Sequence, residues 1–278
     1  MRPVFIPDNI REYWNTPASS ESVCHKIASL YAVLTGPAPE ISIVIPAFNE
    51  EANIVKTLLS LCSNRTSKKI EIIVVNNNSS DNTSSLVRSC GVVCINELRQ
   101  GITQARNTGL ANARGKFILN ADADTLYPEN WIQEMIAPLD RNENVALTYG
   151  RFSFIPVGNT RRGTYFFYEY ATDLVRWINT KFREEAVNVY GFNSGFRREQ
   201  GLEVDGFNHP PGTNEDGWLA LKLRDNKFGR LHMVNDPAAL VWTKDRRLQI
   251  DGGIPKALML RIRTVSYTHL TLPTNREV

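Results

Sequence analysis

The sequence contains no uninterrupted apolar stretch of the ~18–20 residues that a helix needs to cross a bilayer, so an integral membrane protein is excluded over the residues present. Cysteine is scarce. The four thiols, Cys24, Cys62, Cys90 and Cys94, lack paired C-x2-C spacing, and neither a zinc site nor a disulfide framework is expected. Histidine is as scarce, and His25, His209, His232 and His269 show no metal-ligand spacing. No charged-then-apolar segment opens the chain, which makes a reducing, cytoplasmic setting the expectation. One-sided charge is missing too: a formal net charge of +3 is too small to imply a nucleic-acid partner. Peripheral contact at the inner face of the membrane stays open. With 42% apolar and 22% charged residues, the 278-residue chain falls in the ordinary globular class and is long enough for one large α/β domain.

Residues 1–40 mix polar residues with Pro3, Pro7, Pro17, Pro37 and Pro39 around one helical pattern from Glu21 to Val33, and are expected to form a surface-lying extension. From Ile41 the pattern changes. The β-branched run Ile41 to Ile45 ends at Pro46, and a helical pattern follows with Val55, Leu58, Leu59 and Cys62 on one face. Ile70 to Val75 predicts a second strand, Asn76 to Thr83 a polar loop, Ser84 to Ser89 a short helix and Val92 to Ile95 a strand. Thr103 to Ala113 predicts a helix stopped by Gly115, Phe117 to Leu119 a buried strand, and Ile132, Met135, Ile136 and Leu139 one more amphipathic helix. Such alternation predicts a Rossmann-like, mostly parallel sheet with helices on both faces. Ligands in such folds gather at the strand carboxyl ends. The polar clusters fall there: Asn49-Glu50, Asn76 to Asp81, and Asp122-Ala123-Asp124.

Two carboxylates one residue apart at a strand end can hold a hard divalent cation, which would bridge diphosphate oxygens and stabilise a departing nucleoside diphosphate. Alone, such a triplet reads first as an acidic surface turn, because acidic pairs in turns are common. Glu215-Asp216, alone, reads as the acidic first turn of a helix continuing through Trp218, Leu219 and Leu221. Arg106 is placed to pair with a carboxylate, a phosphate, or Asp122 itself.

Several segments nevertheless occur together and in order: Ile43 to Glu51, Ile73 to Asp81, Ala105-Arg106-Asn107-Thr108-Gly109, Asp122-Ala123-Asp124, then Gly206-Phe207 and Glu215-Asp216. In this the chain resembles the family-2 glycosyltransferases of the GT-A fold, from about Ile41 to Gly253. The resemblance implies a GT-A domain over 41–255, with a nucleotide-binding half (41–149), an acceptor-binding half (150–255) and a tail over 256–278. It implies an inverting hexosyltransferase-like enzyme of EC class 2.4, which moves a sugar from a nucleoside-diphosphate sugar to an acceptor hydroxyl. An α-linked donor would then give a β-linked product. Pro46, Phe48, Glu50, Asn76, Asn78, Arg106, Asp122, Asp124, Arg246 and Arg247 would contact the donor. Asp124 would be the direct ligand of Mn²⁺ or Mg²⁺, with Asp122 beside it. Asp216 would be the base, and Glu215 would steer the acceptor or cap the helix.

Many relatives carry Asp where this chain has Asn76. An Asn can still present an acceptor and a donor to uracil, which favours a UDP-sugar over a guanosine donor. On the acceptor side, Gly191, Asn193 and Ser194 look like the family's sugar-contacting loop, and Trp218 is placed to stack on a ring or to pack inside. The acceptor would be a saccharide or a lipid-linked sugar. The cluster Tyr165-Phe166-Phe167-Tyr168-Tyr170, with Trp177 and Ile178, would either touch such an acceptor at a membrane surface or lie in the core.

Residues 265–278 lack periodicity and do not match the family; they look like a translated read-through artefact, in which case the natural chain would continue past about Thr264, and the alternative is an ordinary disordered tail. Two alternatives remain. A sugar nucleotidyltransferase would need a Gly-rich basic loop where Pro46-Ala47-Phe48-Asn49-Glu50 stands; a degenerate, non-catalytic sugar-binding relative is the other.

Overall fold

The computed structural model describes residues 2–157 and 160–245. Two helices, α1 (Asp8–Asn15) and α2 (Glu21–Leu34), precede a βα series: β1 (Ile41–Ala47), α3 (Ile54–Cys62), β2 (Ile70–Asn76), α4 (Thr83–Ser89), β3 (Val93–Asn96), α5 (Ile102–Asn112) and β4 (Phe117–Asn120). There follow β5 (Thr125–Leu126), α6 (Trp131–Arg141), β6 (Val145–Gly150), β7 (Phe152–Ile155) and the long helix α7 (Arg162–Phe182). The second half closes with β8 (Ser194–Arg197), α8 (Arg198–Glu203), α9 (Glu215–Asp225), β9 (Arg230–Val234) and β10 (Val241–Lys244).

Seven strands form one sheet in the order β3-β2-β1-β4-β8-β6-β9. The first four are mutually parallel, β8 runs antiparallel to both β4 and β6, and β6 pairs parallel with β9. A small sheet of β5, β10 and β7 lies beside it. All seven residues of β1 and of β2 are buried, because helices cover both faces and leave no solvent side for a polar alternation. Their two-residue period instead divides the core. Ile43, Ile45, Ile72 and Val74 point into the cluster containing α3 and α6; Val44, Ile73 and Val75 point into the one containing α5 and α9.

The N-terminal segment is less superficial than its prolines imply. Ile10, Tyr13, Cys24, Ile27 and Tyr31 join the first core cluster, and the Tyr31 hydroxyl accepts the Ile72 N–H at 3.0 Å. Pro7 falls at the N-cap of α1, where a missing N–H costs nothing, so it starts a helix instead of preventing one. Arg246, Arg247 and the segment 256–278 lie outside the described residues.

Candidate active site

The parallel strands all end on one edge, and there the loops after β1 and β2 clasp each other. Asn49 N–H donates to Ser79 Oγ (3.0 Å), Glu50 N–H to Thr83 Oγ1 (2.8 Å) and Glu51 N–H to Asp81 Oδ2 (3.0 Å). In return, Ser80 N–H donates to Asn49 Oδ1 (2.9 Å) and Asn82 N–H to Glu51 Oε2 (3.0 Å). Asn49 (φ 53°) and Asn78 (φ 65°) are left-handed, a conformation Asn adopts at little cost. Pro46 is buried in β1, Phe48 and Glu50 are partly buried, and Asn78 is exposed. Asn76 is buried at the end of β2, where its amide donates to Asn96 Oδ1 (3.1 Å) and its carbonyl accepts Ser79 N–H (3.3 Å).

Each residue of the Arg106-Asn107-Thr108-Gly109 segment on α5 makes a separate contact. Thr108 Oγ1 donates to Glu97 Oε2 (2.5 Å). Gly109 permits the helix to close on β1, since a Cβ there would lie 2.2 Å from Val44 Cγ1. Asn107 Oδ1 accepts Phe207 N–H (2.8 Å), which fixes the turn formed by left-handed Asp205 and Gly206. Phe207 in turn lies beneath the Arg106 guanidinium, 5.8 Å from its ring centre.

Arg106 is the centre of the site. It is buried, donates from Nη2 to Asp122 Oδ1 (2.9 Å), and holds its Nε 3.5 Å from Asp216 Oδ1. Burial works against its charge, but Asp216 and Asp122 more than offset this and hold its pKa above the ordinary value. Asp216, in the first turn of α9, accepts the Gly191 N–H at Oδ2 (2.7 Å). Its Oδ1 accepts no hydrogen bond among the described residues. Burial pushes the Asp216 carboxyl up to about 7; Arg106 opposes the rise, while Glu215 and Asp122 add to it. Glu215 is buried beside it, and the helix cap is made by Asn214, whose Oδ1 accepts Gly217 N–H at 2.8 Å.

The Asp-Ala-Asp loop is held from behind. Thr57 Oγ1 donates to the Ala123 carbonyl (2.8 Å), and the Asp122 N–H donates to the Tyr127 hydroxyl (2.9 Å), which itself donates to the Phe192 carbonyl (3.1 Å). Burial, reinforced by Asp122, raises the Tyr127 pKa well above its ordinary value, so the phenol stays protonated and able to donate. Backbone anchoring leaves both carboxylates partly exposed at the strand edge. Two hard oxygen donors on a fixed loop suit Mn²⁺ or Mg²⁺. Among the described residues no cluster of three or more His, Cys, Asp or Glu could hold a metal, so diphosphate and water oxygens would complete the coordination. One oxygen of Asp122 already accepts from Arg106.

The expected acceptor loop divides. Gly191 joins the site through Asp216. Asn193 does not: it is buried, accepts from Trp131 Nε1 (2.8 Å) and donates to the carbonyls of Arg151 (2.8 Å) and Ala239 (3.2 Å). These bonds tie the start of α6, the Arg151 link between β6 and β7, and the Ala239 turn before β10 to one side chain and leave the amide occupied within the fold. Ser194 is likewise buried, its Oγ accepting from Asn120 (3.1 Å). Trp218 packs, partly buried, against the second core cluster. Sequence reasoning passed over Tyr127 and Thr57. Neither belongs to a motif, and the only signal for Tyr127 is a phenol five residues beyond Asp122, before α6.

This arrangement, with nucleotide-type loops on a parallel edge and a β8 reversal beside the acidic triplet, is the GT-A fold. Among solved structures the chain is similar to glucosyl-3-phosphoglycerate synthase from Mycobacterium tuberculosis, solved with Mn²⁺, UDP-glucose and phosphoglyceric acid (TM-score 0.54, 19% identity, 90% of this chain and 85% of that one). It is also similar to the mannosyltransferase PcManGT from Pyrobaculum calidifontis, solved with GDP-mannose and Mn²⁺ (TM-score 0.56, 17% identity, 87% and 76%). The family model described as Glycosyl transferase family 2 matches residues 42–200, and the chain belongs to that family. One curated relative is the UDP-Glc:alpha-D-GlcNAc-diphosphoundecaprenol beta-1,3-glucosyltransferase WfgD of Escherichia coli, 31% identical over 119 residues, 41% of this chain and 46% of that protein. The chain spans about half, or less, of the length of the first curated relatives it matches.

Proposed function

We propose that the chain transfers a sugar from a nucleoside-diphosphate sugar to an acceptor hydroxyl with inversion, using Asp216 as base and the Asp122-Ala123-Asp124 loop at the diphosphate. The observation that carries this reading is the contact of one buried guanidinium with both Asp122 and Asp216. It ties the leaving-group side and the proton-accepting side of a displacement to a single rigid cation. Family membership supports the reaction class.

In this reading Asp124, with Asp122, would hold a divalent ion, which would supply electrostatic stabilisation to the departing diphosphate. Asp216 takes the proton of the attacking hydroxyl at Oδ1, while Gly191 N–H keeps Oδ2 in place. A carboxyl near 7 is well matched to general-base chemistry, being ionised in a useful fraction at neutral pH yet a stronger base than an exposed Asp. Arg106 keeps the two acidic groups apart in function and holds the base in orientation. A UDP-sugar is the favoured donor, because the fixed Asn76 amide retains one carbonyl lone pair for a base N–H. The acceptor is a saccharide or a lipid-linked sugar, as the name of the E. coli relative indicates for that protein.

The test is turnover of a panel of nucleotide sugars with Mn²⁺ or Mg²⁺, on the parent chain and two variants. Asp216→Asn is expected to keep donor affinity while transfer falls ~10²–10⁴-fold. Asp124→Asn is expected to weaken metal-dependent donor binding instead. Normal transfer by Asp216→Asn would sink the base assignment; absence of both turnover and metal-dependent donor binding in the parent would sink the enzyme reading.

A further inference from the structure

The inward face of helix α7 is mixed. Tyr165 and Tyr168 join the first core cluster, and beside them Glu169 is held by Arg162 (2.8 Å), Ser153 Oγ (3.0 Å) and the Phe154 N–H (2.8 Å), and Asp173 by Arg2 (2.6 Å). Arg176 and Asn179 are buried on the same side. The outward face carries Phe167, Tyr170, Leu174, Trp177 and Phe182, whose exposures run from 41% to 75%. Phe167, Tyr170, Leu174 and Trp177, spaced three, four and three residues apart, form one stripe, and Phe182, five residues further on and off that line, joins it through its ring contact with Trp177 (5.7 Å). Scattered exposed hydrophobics are ordinary, but an aromatic stripe along one 21-residue helix is a contact surface.

Charge identifies the partner. Both carboxylates of α7 are turned inward and paired, whereas its two ends carry the exposed bases Arg161, at the N-cap, and Lys181, in the last turn. A second copy docked through this stripe about a twofold axis would bring a basic end onto a basic end, whether the helices ran parallel or antiparallel. An anionic lipid surface instead offers the opposite sign to both ends and an apolar layer to the stripe between them. Aromatic side chains suit that boundary, being apolar in body and tolerant of headgroups. We propose that the outer face of α7 docks the protein peripherally on anionic membrane, the helix lying in the interface plane. No described helix is long and apolar enough to cross a membrane, so the attachment inferred from α7 is to the surface.

The experiment is flotation of the full chain with vesicles of phosphatidylcholine alone and of phosphatidylcholine mixed with phosphatidylglycerol. The parent is expected to float with the mixed vesicles, weakly with the neutral ones, and less as salt is raised. Phe167→Ser with Trp177→Ser, both at exposed positions, is expected to lower partition by about tenfold or more without changing donor hydrolysis in free solution. Arg161→Glu with Lys181→Glu is expected to abolish the preference for phosphatidylglycerol. Equal flotation of parent and Ser variant, or no flotation with the mixed vesicles, overturns the proposal. So does a concentration-dependent dimer of the parent, seen in sedimentation, that the Ser variant loses. Membrane docking does not depend on catalysis: loss of donor turnover with vesicle binding intact would overturn the transferase reading alone.

Discussion

The Nε of Arg106 lies 3.5 Å from Oδ1 of Asp216, both side chains being almost wholly withdrawn from solvent. A buried ion pair adds little net stability when well made, but removal of one member leaves a charge in a medium that cannot solvate it. Arg106 pairs with Asp122 as well, but Asp122 is partly exposed, so the carboxylate its loss would strand is that of Asp216.

Arg106→Ala is therefore expected to destabilise the chain by about 3–5 kcal/mol. The double variant Arg106→Ala, Asp216→Asn should recover part of that loss, because the Asn needs no cation. Chemical denaturation of the four members of this cycle measures the coupling. Additive effects would mean that the two groups do not interact.

The pH dependence has a defined sign. Folding raises the Asp216 carboxyl from its ordinary 3.8 to about 7, so between those values the folded chain holds a proton that the unfolded chain releases. The contribution of this group to stability is accordingly greatest below about 4 and is lost as pH rises through about 7. Asp216→Asn should abolish it, so the melting temperature of the parent should fall relative to the variant between pH 5 and pH 8, a window of roughly these limits. Transfer should run the opposite way and increase through about 7 as the base ionises. A flat kcat/KM across that range would exclude Asp216 as the titrating base.

Much of this was legible in the sequence, and the reason is local. The Ile41 to Ile45 and Ile70 to Val75 runs declare buried strands by composition alone, and the polar loops after them are contiguous in the chain. The Arg106 to Asp122 pair was one of the partners its position allowed. What stayed hidden depends on pairs far apart in sequence: Gly191 with Asp216, Asn107 with Phe207, Asn193 with Trp131. Asn193 shows the difficulty, since an Asn between glycines reads as a ligand contact until its amide is found to join three separate segments. Helix α7 was opaque for another reason. Its aromatic run divides: Tyr165 and Tyr168 lie in the core, while Glu169 and Asp173, paired with four arginines, take other inward positions and Phe167, Tyr170 and Trp177 are left outside.

Tyr127→Phe tests whether the acidic loop is pre-set. The substitution removes only the hydroxyl, leaving the Asp122 N–H without its acceptor and the Phe192 carbonyl without its donor. Both groups are only partly buried, so a cost at the low end of about 1–3 kcal/mol is expected. The functional signature should be a rise in the concentration of metal and donor needed for half-maximal rate, with kcat less affected, because the loop must then be ordered at each binding event. Steady-state kinetics at saturating and limiting Mn²⁺ separates the two parameters. A fall in kcat alone would place Tyr127 in the chemistry and not in the support of the loop.

Gly191→Ala addresses the joint between the acceptor loop and the base. The added Cβ would lie 2.2 Å from Arg106 Nη2 and 2.5 Å from each Asp216 carboxylate oxygen, all far inside contact distance. Neither neighbour can retreat cheaply: Arg106 is pinned by Asp122 and Phe207, and Asp216 by the Gly191 N–H itself and the first turn of α9. The backbone must therefore shift, lengthening the 2.7 Å bond that aims the carboxylate. Overpacking of this kind costs roughly 1–3 kcal/mol, while a displacement near 1 Å at a reacting group can cost on the order of 10²-fold in rate. The expected variant is folded, binds donor and metal with near-parental affinity, and transfers sugar about a hundredfold more slowly. Isothermal titration with donor, set beside the transfer rate, checks both halves. Parental transfer by a stable Gly191→Ala would show that the base does not depend on this contact.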